Sequence, residues 1–288
     1  MKRSPLAWRQ VLFCTLLIGA AALLLASHDT VSLAVREGIF LCVQSVIPSL
    51  FPLFTAVSLA IACGLGDLLP PEAAALVLGS VGGYPVGAKT LAELVKSGAI
   101  EARDAQKLLL CCNNAGPAFI LGIVGRGVFH RAAVGWVLYG IHTLSALLLW
   151  AFLPHGRAKR RRPAPPPSYA KVFVETVRGS VAAMANVCGF VVLFLVVLRL
   201  LSVLTGLTHP LFLGAVELTN GVQALPNDAD GFVMAAALLG WGGVSVCCQT
   251  AAVLDGSGLR FAPYLLAKLT QSGISALLAL AVRGWLFA

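Results

Sequence analysis

The chain has 288 residues, 58% of them hydrophobic and only 11% charged, with a formal net charge of +9 and a mean hydropathy of +0.88. A soluble domain carries roughly 25% charged residues and needs polar cover for its surface, so a water-soluble globular enzyme is excluded. Charge of this sign and size can mark nucleic-acid binding, but here much of it sits in one run, RAKRRR at 157–162, which fits a loop beside a membrane and not a nucleic-acid interface.

The first apolar stretch, 10–27, follows Lys2, Arg3 and Arg9. The residues before His28 and Asp29 lack a good small-residue cleavage pattern, so the stretch is expected to stay as a signal anchor. A second stretch, 37–65, should be kinked by Pro48 and Pro52, because proline removes a backbone donor and crowds the preceding turn. After a turn over 64–72, residues 73–98 carry the glycine-rich centre GSVGGYPVGAK, with Gly79, Gly82, Gly83, Pro85 and Gly87. Each flank falls short of the ~20 residues that a crossing helix needs. This predicts a re-entrant hairpin, and irregular backbone at that depth survives only when buried in protein or lining a wet cavity. A plain nine-span bundle is the alternative.

Residues 105–124 form the next span, broken by NNAGP at 113–117, which includes Gly116 and Pro117. The loop GRGVFHR leads to a span over 132–153. The basic run and Pro163, Pro165, Pro166 and Pro167 then read as a cytoplasmic linker that sets orientation and attracts anionic lipid headgroups. The second half repeats the order. A long span over 171–204 precedes a short segment over 207–226, broken by ELTNG at 217–221. A span over 232–254 is broken by GWGGVS at 240–245, which includes Gly242 and Gly243, and a last span covers 261–286.

The organisation is therefore an N-terminal span and outer loop (1–35), a first repeat (36–153), a linker (154–170) and a second repeat (171–288). If each half is span, hairpin, broken span and span, it crosses three times and the halves are inverted. The expected fold is an all-α polytopic membrane protein of about seven spans plus two re-entrant hairpins, in two inverted repeats with broken helices. Charge sorts accordingly. Lys2, Arg3, Arg9, Lys96, Arg103, Lys107, the linker and Arg260 fall inside, and Arg36, Arg126, Arg131 and Arg283 outside, with the C-terminus outside. Inverted repeats with discontinuous helices are a recurring transporter plan.

Several motifs resemble one family. GGYPVGAK (82–89), CNNAGPAFILG (112–122), ELTNG (217–221) and GGVSV (242–246), with IHTLSALL (141–148), are similar to those of the sporulation integral membrane proteins of the YlbJ type. The repeated element of that family is called the nucleoside-recognition or gate domain. The resemblance runs from roughly Arg36 to the C-terminus, with a shorter central loop and CCQ at 247–249 where a more polar segment is the norm. It implies a multi-pass protein of the mother-cell membrane around the forespore, which moves dipicolinic acid, a small anion, toward the spore. A coupling proton or cation and self-association are compatible with that role. The alternatives are a non-transporting sporulation membrane factor, or a nucleoside or cation transporter on the same gate plan.

Six side chains are candidates for substrate contact. Lys89 offsets an anion's charge, or snorkels, or pairs with Glu93 four residues on. Asn113 and Asn114 satisfy the backbone freed at their break or bind substrate oxygens. Glu217, Thr219 and Asn220 lie in the second hairpin, where a buried carboxylate points to proton or cation coupling; the alternative is an exposed hairpin tip. Helix N-termini at the breaks would favour a carboxylate ligand. Gly82, Gly83, Pro85, Gly87, Gly116, Pro117, Gly242 and Gly243 are the backbone breaks expected to line the cavity. No enzyme signature appears: GGYPVGAK lacks phosphate-loop spacing, and the serines have no arranged His and Asp. His142 reads as a helix–helix hydrogen-bonding residue. The eight cysteines show no zinc spacing and read as packing residues, so neither metal nor cofactor is expected.

Overall fold

The computed structural model describes residues 5–63, 69–96, 98, 100–152 and 168–287. The basic run, the prolines at 163–167, and Lys2 and Arg3 lie outside the described residues. Within them every regular element is helical. Helix α1 (Pro5–Ala26) is apolar on all sides, and Ser27 separates it from α2 (His28–Leu41). The two segments meet at 87°. A π-helical turn, Cys42–Val46, follows and passes into α3 (Ile47–Ala62). Its wider hydrogen bond, from Ile47 N–H to the Cys42 carbonyl, lies directly before Pro48. One extra residue per turn is a standard way to relieve the clash between a proline ring and the carbonyl four residues earlier.

Helices α4 (Pro71–Gly82) and α5 (Val86–Lys96) form the first hairpin. The turn is made at Gly83, whose φ of +75° lies in a region that glycine enters without steric cost. Helix α6 (Ala102–Cys112) stops at Asn113, and a π-helical segment, Ala118–Val128, continues beyond the break. After α7 (Ala132–Ala151) comes α8 (Tyr169–Thr205), 37 residues long. The short α9 (Pro210–Val216) and α10 (Leu218–Gln223) form the second hairpin. Helices α11 (Ala229–Trp241) and α12 (Gly243–Leu254) are one rod broken at Gly242, and α13 (Phe261–Leu286) ends the described chain. Each half thus runs through long helix, hairpin, broken helix and long helix.

Length and apolarity qualify four helical stretches as membrane spans, Ala132–Ala151, Tyr169–Thr205, Ala229–Leu254 and Phe261–Leu286, or five if the bent pair near the N-terminus is one span. The chain is a multi-pass helical membrane protein. This count falls below the expected seven because α3, α6 and the π-helical segment after it are too short or too interrupted to qualify alone.

The two halves interlock. Helix α13 packs along α11, α7 and α6, and α12 packs on α5. Phe129, Leu138, Phe232 and Leu239 belong to the largest buried cluster, where the Phe129 and Phe232 rings meet edge to face at 6.5 Å. Polar contacts mark two ends. At one, Lys96 donates to the Asp255 carbonyl at 3.3 Å and Gln106 binds the Arg260 backbone at 3.0 and 2.6 Å. At the other, Arg131 donates to the Leu286 carbonyl and Arg283 pairs with Asp230, each at 2.8 Å. Lys96 and Arg260 thus lie at one end of α13, and Arg131 and Arg283 at the other.

Candidate functional site

Each hairpin closes through a pair of glycines. A methyl on Gly79 or Gly87 would collide with the same atom, the Cys112 carbonyl oxygen, and a methyl on Gly221 would collide with the Gly214 backbone. The hairpin tips then reach the helix breaks. A methyl on Gly83 would lie 3.0 Å from the Gly116 nitrogen, and one on Gly243 would lie 3.1 Å from the Leu218 nitrogen. Tyr84, at the first tip, donates its hydroxyl to the Leu239 carbonyl at 3.2 Å, just before the break at Gly242. All four interruptions therefore meet in one place, where their loose backbone groups are shielded from lipid.

A cavity of about 50 Å³ lies among them, lined by Gly83, Tyr84, Gly116, Glu217, Thr219 and Gln249. Val46, Phe119, Val187 and Val191 complete an otherwise apolar wall. The space is polar enough and large enough for water. Glu217 is 2% exposed and caps α10. It accepts from Thr219 N–H at 3.1 Å, Asn220 N–H at 2.8 Å and the Asn220 amide at 2.6 Å. Such a cap satisfies orphan donors at the helix start, which explains how a carboxylate is tolerated there.

Beside the cavity runs a buried hydrogen-bond network. The Asn113 amide donates to Thr250 Oγ1 and to the Tyr264 hydroxyl, each at 2.9 Å, and its oxygen accepts from Ala88 N–H at 3.3 Å. Asn114 donates to the Cys111 carbonyl at 2.7 Å and accepts from Gln271 at 2.9 Å. His142 Nε2 accepts from Ala115 N–H at 3.0 Å. Both asparagines thus hold the broken backbone between α6 and the π-helical segment. Lys268 sits in this network, 1% exposed. Its Nζ donates to Gln271 Oε1 at 2.6 Å and to the Asn113 carbonyl at 3.2 Å, and it lies 5.2 Å over the Tyr84 ring. A lysine in a membrane helix costs about 2.5–3.5 kcal/mol on insertion scales, so its position in the fold is informative.

The expected site residues do not all meet in one place. Glu217 and Thr219 line the central cavity with Gly83, Gly116 and Tyr84. Asn113 and Asn114 stand behind it in the network, while Gly82, Pro85 and Gly87 are buried in the first hairpin and Pro117 precedes the π-helical segment. Gly242 and Gly243 form the α11–α12 joint. Asn220 faces a separate cavity of about 350 Å³ with Arg199.

Lys89 is in none of these. It lies 3.9 Å from Glu93 and lines another cavity of about 370 Å³ with Thr90, Glu175 and Thr176. The residues that sequence reading missed are Lys268, Gln271, Tyr84 and Tyr264. A signal existed for the first two: Lys268, Gln271 and Ser275 recur at three- and four-residue spacing, which is one face of a helix, and all are buried. Among the described residues no cluster of His, Cys, Asp and Glu could hold a metal ion.

Compared with known proteins, no protein-family model matches the chain, and no solved structure matches it. It is 29% identical over 326 aligned residues to the sporulation integral membrane protein YlbJ of Bacillus subtilis (strain 168), an alignment covering 89% of this chain and 80% of that protein. The chain resembles the YlbJ type along most of its length. With that coverage, the YlbJ-type likeness takes in more than either half alone.

Proposed function

We propose that this chain is a sporulation-stage permease that moves a small carboxylate metabolite, dipicolinate or a close relative, across the mother-cell membrane around the forespore. In this reading the two halves are inverted repeats, the chain crosses the membrane seven times, and the substrate passes through the central cavity. The observation that carries it is the meeting of two hairpin tips and two helix breaks at one partly polar cavity between the halves. Discontinuous helices at a repeat interface are where secondary transporters place their substrates, and a purely structural bundle has no need of them. The YlbJ relative, a sporulation integral membrane protein, supplies the setting.

The test is uptake of labelled pyridine-2,6-dicarboxylate into liposomes that carry the full chain. Accumulation above empty liposomes is expected, and Val187→Trp, which fills the cavity, should lower it at least tenfold. Absence of uptake by a correctly inserted chain would favour the second reading, a non-transporting sporulation membrane factor. One observation speaks for that reading: the Glu217 carboxylate, the acidic group in the cavity wall, is fully engaged in capping its own helix.

A further inference from the structure

We propose that Lys268 is the charge-matching group for a carboxylate bound in the central cavity, and that Tyr84 is the side chain covering it. The inference rests on the permease reading for its choice of ligand; the site itself is argued from geometry.

Several other described cations on the helices lie beside acidic groups. Lys89 has Glu93, Arg199 has Glu37, Lys171 has Glu175 and Arg283 has Asp230. Lys268 is different. It is the buried lysine among the described residues, and its hydrogen bonds go to two uncharged oxygens, the Asn113 carbonyl and Gln271 Oε1. Neutral acceptors solvate an ammonium but leave its charge unbalanced, and a buried unbalanced charge is costly. A negative ligand would supply what the fold does not.

The route to Lys268 is short. Its third face is turned to the Tyr84 ring at 5.2 Å, and Tyr84 also lines the cavity. One aromatic ring therefore separates the ammonium from the space. That ring is tethered by its hydroxyl to the Leu239 carbonyl at 3.2 Å. Rotation of the side chain would break that bond and turn the ammonium's open face to the cavity, where Thr219 and Gln249 add uncharged hydrogen-bonding groups and the Glu217 carboxylate is already engaged by the donors of its own helix. An ammonium at this depth repels cations and gives no advantage to a neutral nucleoside, so the ligand is a small anion, and the permease reading makes it a carboxylate.

Equilibrium dialysis of the purified full chain in detergent tests this, with labelled pyridine-2,6-dicarboxylate and its uncharged diamide as probes. The wild type should bind the diacid in preference to the diamide. Lys268→Met should weaken diacid binding at least tenfold without changing diamide binding, and Lys268→Arg should retain the preference for the diacid. Lys89→Ala should bind as the wild type does. Tyr84→Leu should bind the diacid severalfold more tightly, and it decides the matter if Lys268→Met fails to fold. Unchanged diacid affinity in folded Lys268→Met, or in Tyr84→Leu, overturns the proposal, as does a wild type that binds neither probe. Binding without uptake defeats only the permease reading. Uptake by Lys268→Met with unchanged KM leaves the permease reading standing and removes Lys268 from the site.

Discussion

At the scale of single residues, the polar core shows how one side chain type takes different roles in different surroundings. Glu217 looked in the sequence like a coupling carboxylate. In the fold it accepts three hydrogen bonds from its own short helix, one of them from the Asn220 side chain. Glu217→Gln keeps one acceptor but turns amide hydrogens toward the Asn220 donors. Leaving a buried donor without an acceptor costs about 1–3 kcal/mol, so thermal unfolding in detergent should show a lower Tm for Gln and a larger drop for Glu217→Ala. An unchanged Tm in the alanine variant would show that the cap is dispensable. Asn113, Asn114 and Glu217 were legible because a polar residue beside glycine or proline, in an apolar segment, has few other reasons to be there. Lys268 was not. It stands in an otherwise unbroken helix, and its burial depends on Asn113 and Tyr84, far away in the chain. Lys89 follows the glycine motif directly, but the packing of α5 on α6 and α12 leaves it on the cavity shared with Glu175 and not on the central one.

At the scale of elements, the first hairpin was visible in its glycines, and the second makes the same kind of close backbone approach at Gly214 and Gly221. Close backbone approach is why these positions exclude a side chain. Gly79→Ala would press a methyl onto the Cys112 carbonyl oxygen, and Gly221→Ala onto the Gly214 backbone. Backbone cannot yield as a flexible side chain does, so each should destabilise the protein by about 2 kcal/mol or more. Gly140→Ala, on α7 with open space around the position, should be neutral or mildly stabilising, since alanine is the better helix former. Thermal unfolding of the three variants checks this, and equal stability of all three would contradict the close packing of the hairpins. The π-helical stretches were not legible. Pro48 signalled a kink, but the extra residue before it is a choice of hydrogen-bond register, and the side-chain pattern barely records that choice.

At the scale of the whole molecule, the order of elements was readable in both halves, whereas the number of crossings was not, because a broken helix and a hairpin look alike by length. Orientation decides between the seven-span plan and its rivals. Reporter fusions or cysteine accessibility should place the N-terminus and the 157–162 run inside and the C-terminus outside; a cytoplasmic C-terminus would refute the inverted arrangement. One helix also serves as a depth gauge. On α8, Arg178 and Arg199 are both exposed, and the stretch between them carries no other charged residue. At 1.5 Å per residue they stand about 31 Å apart, close to the ~30 Å thickness of the hydrocarbon layer. If each guanidinium reaches for its own interface, α8 stands almost upright, with its ends protruding on both sides. Val187 and Val191 lie near the midpoint of that interval and form part of the cavity wall. The cavity is then equidistant from the two aqueous phases, and an ion within it faces the same dielectric barrier in either direction.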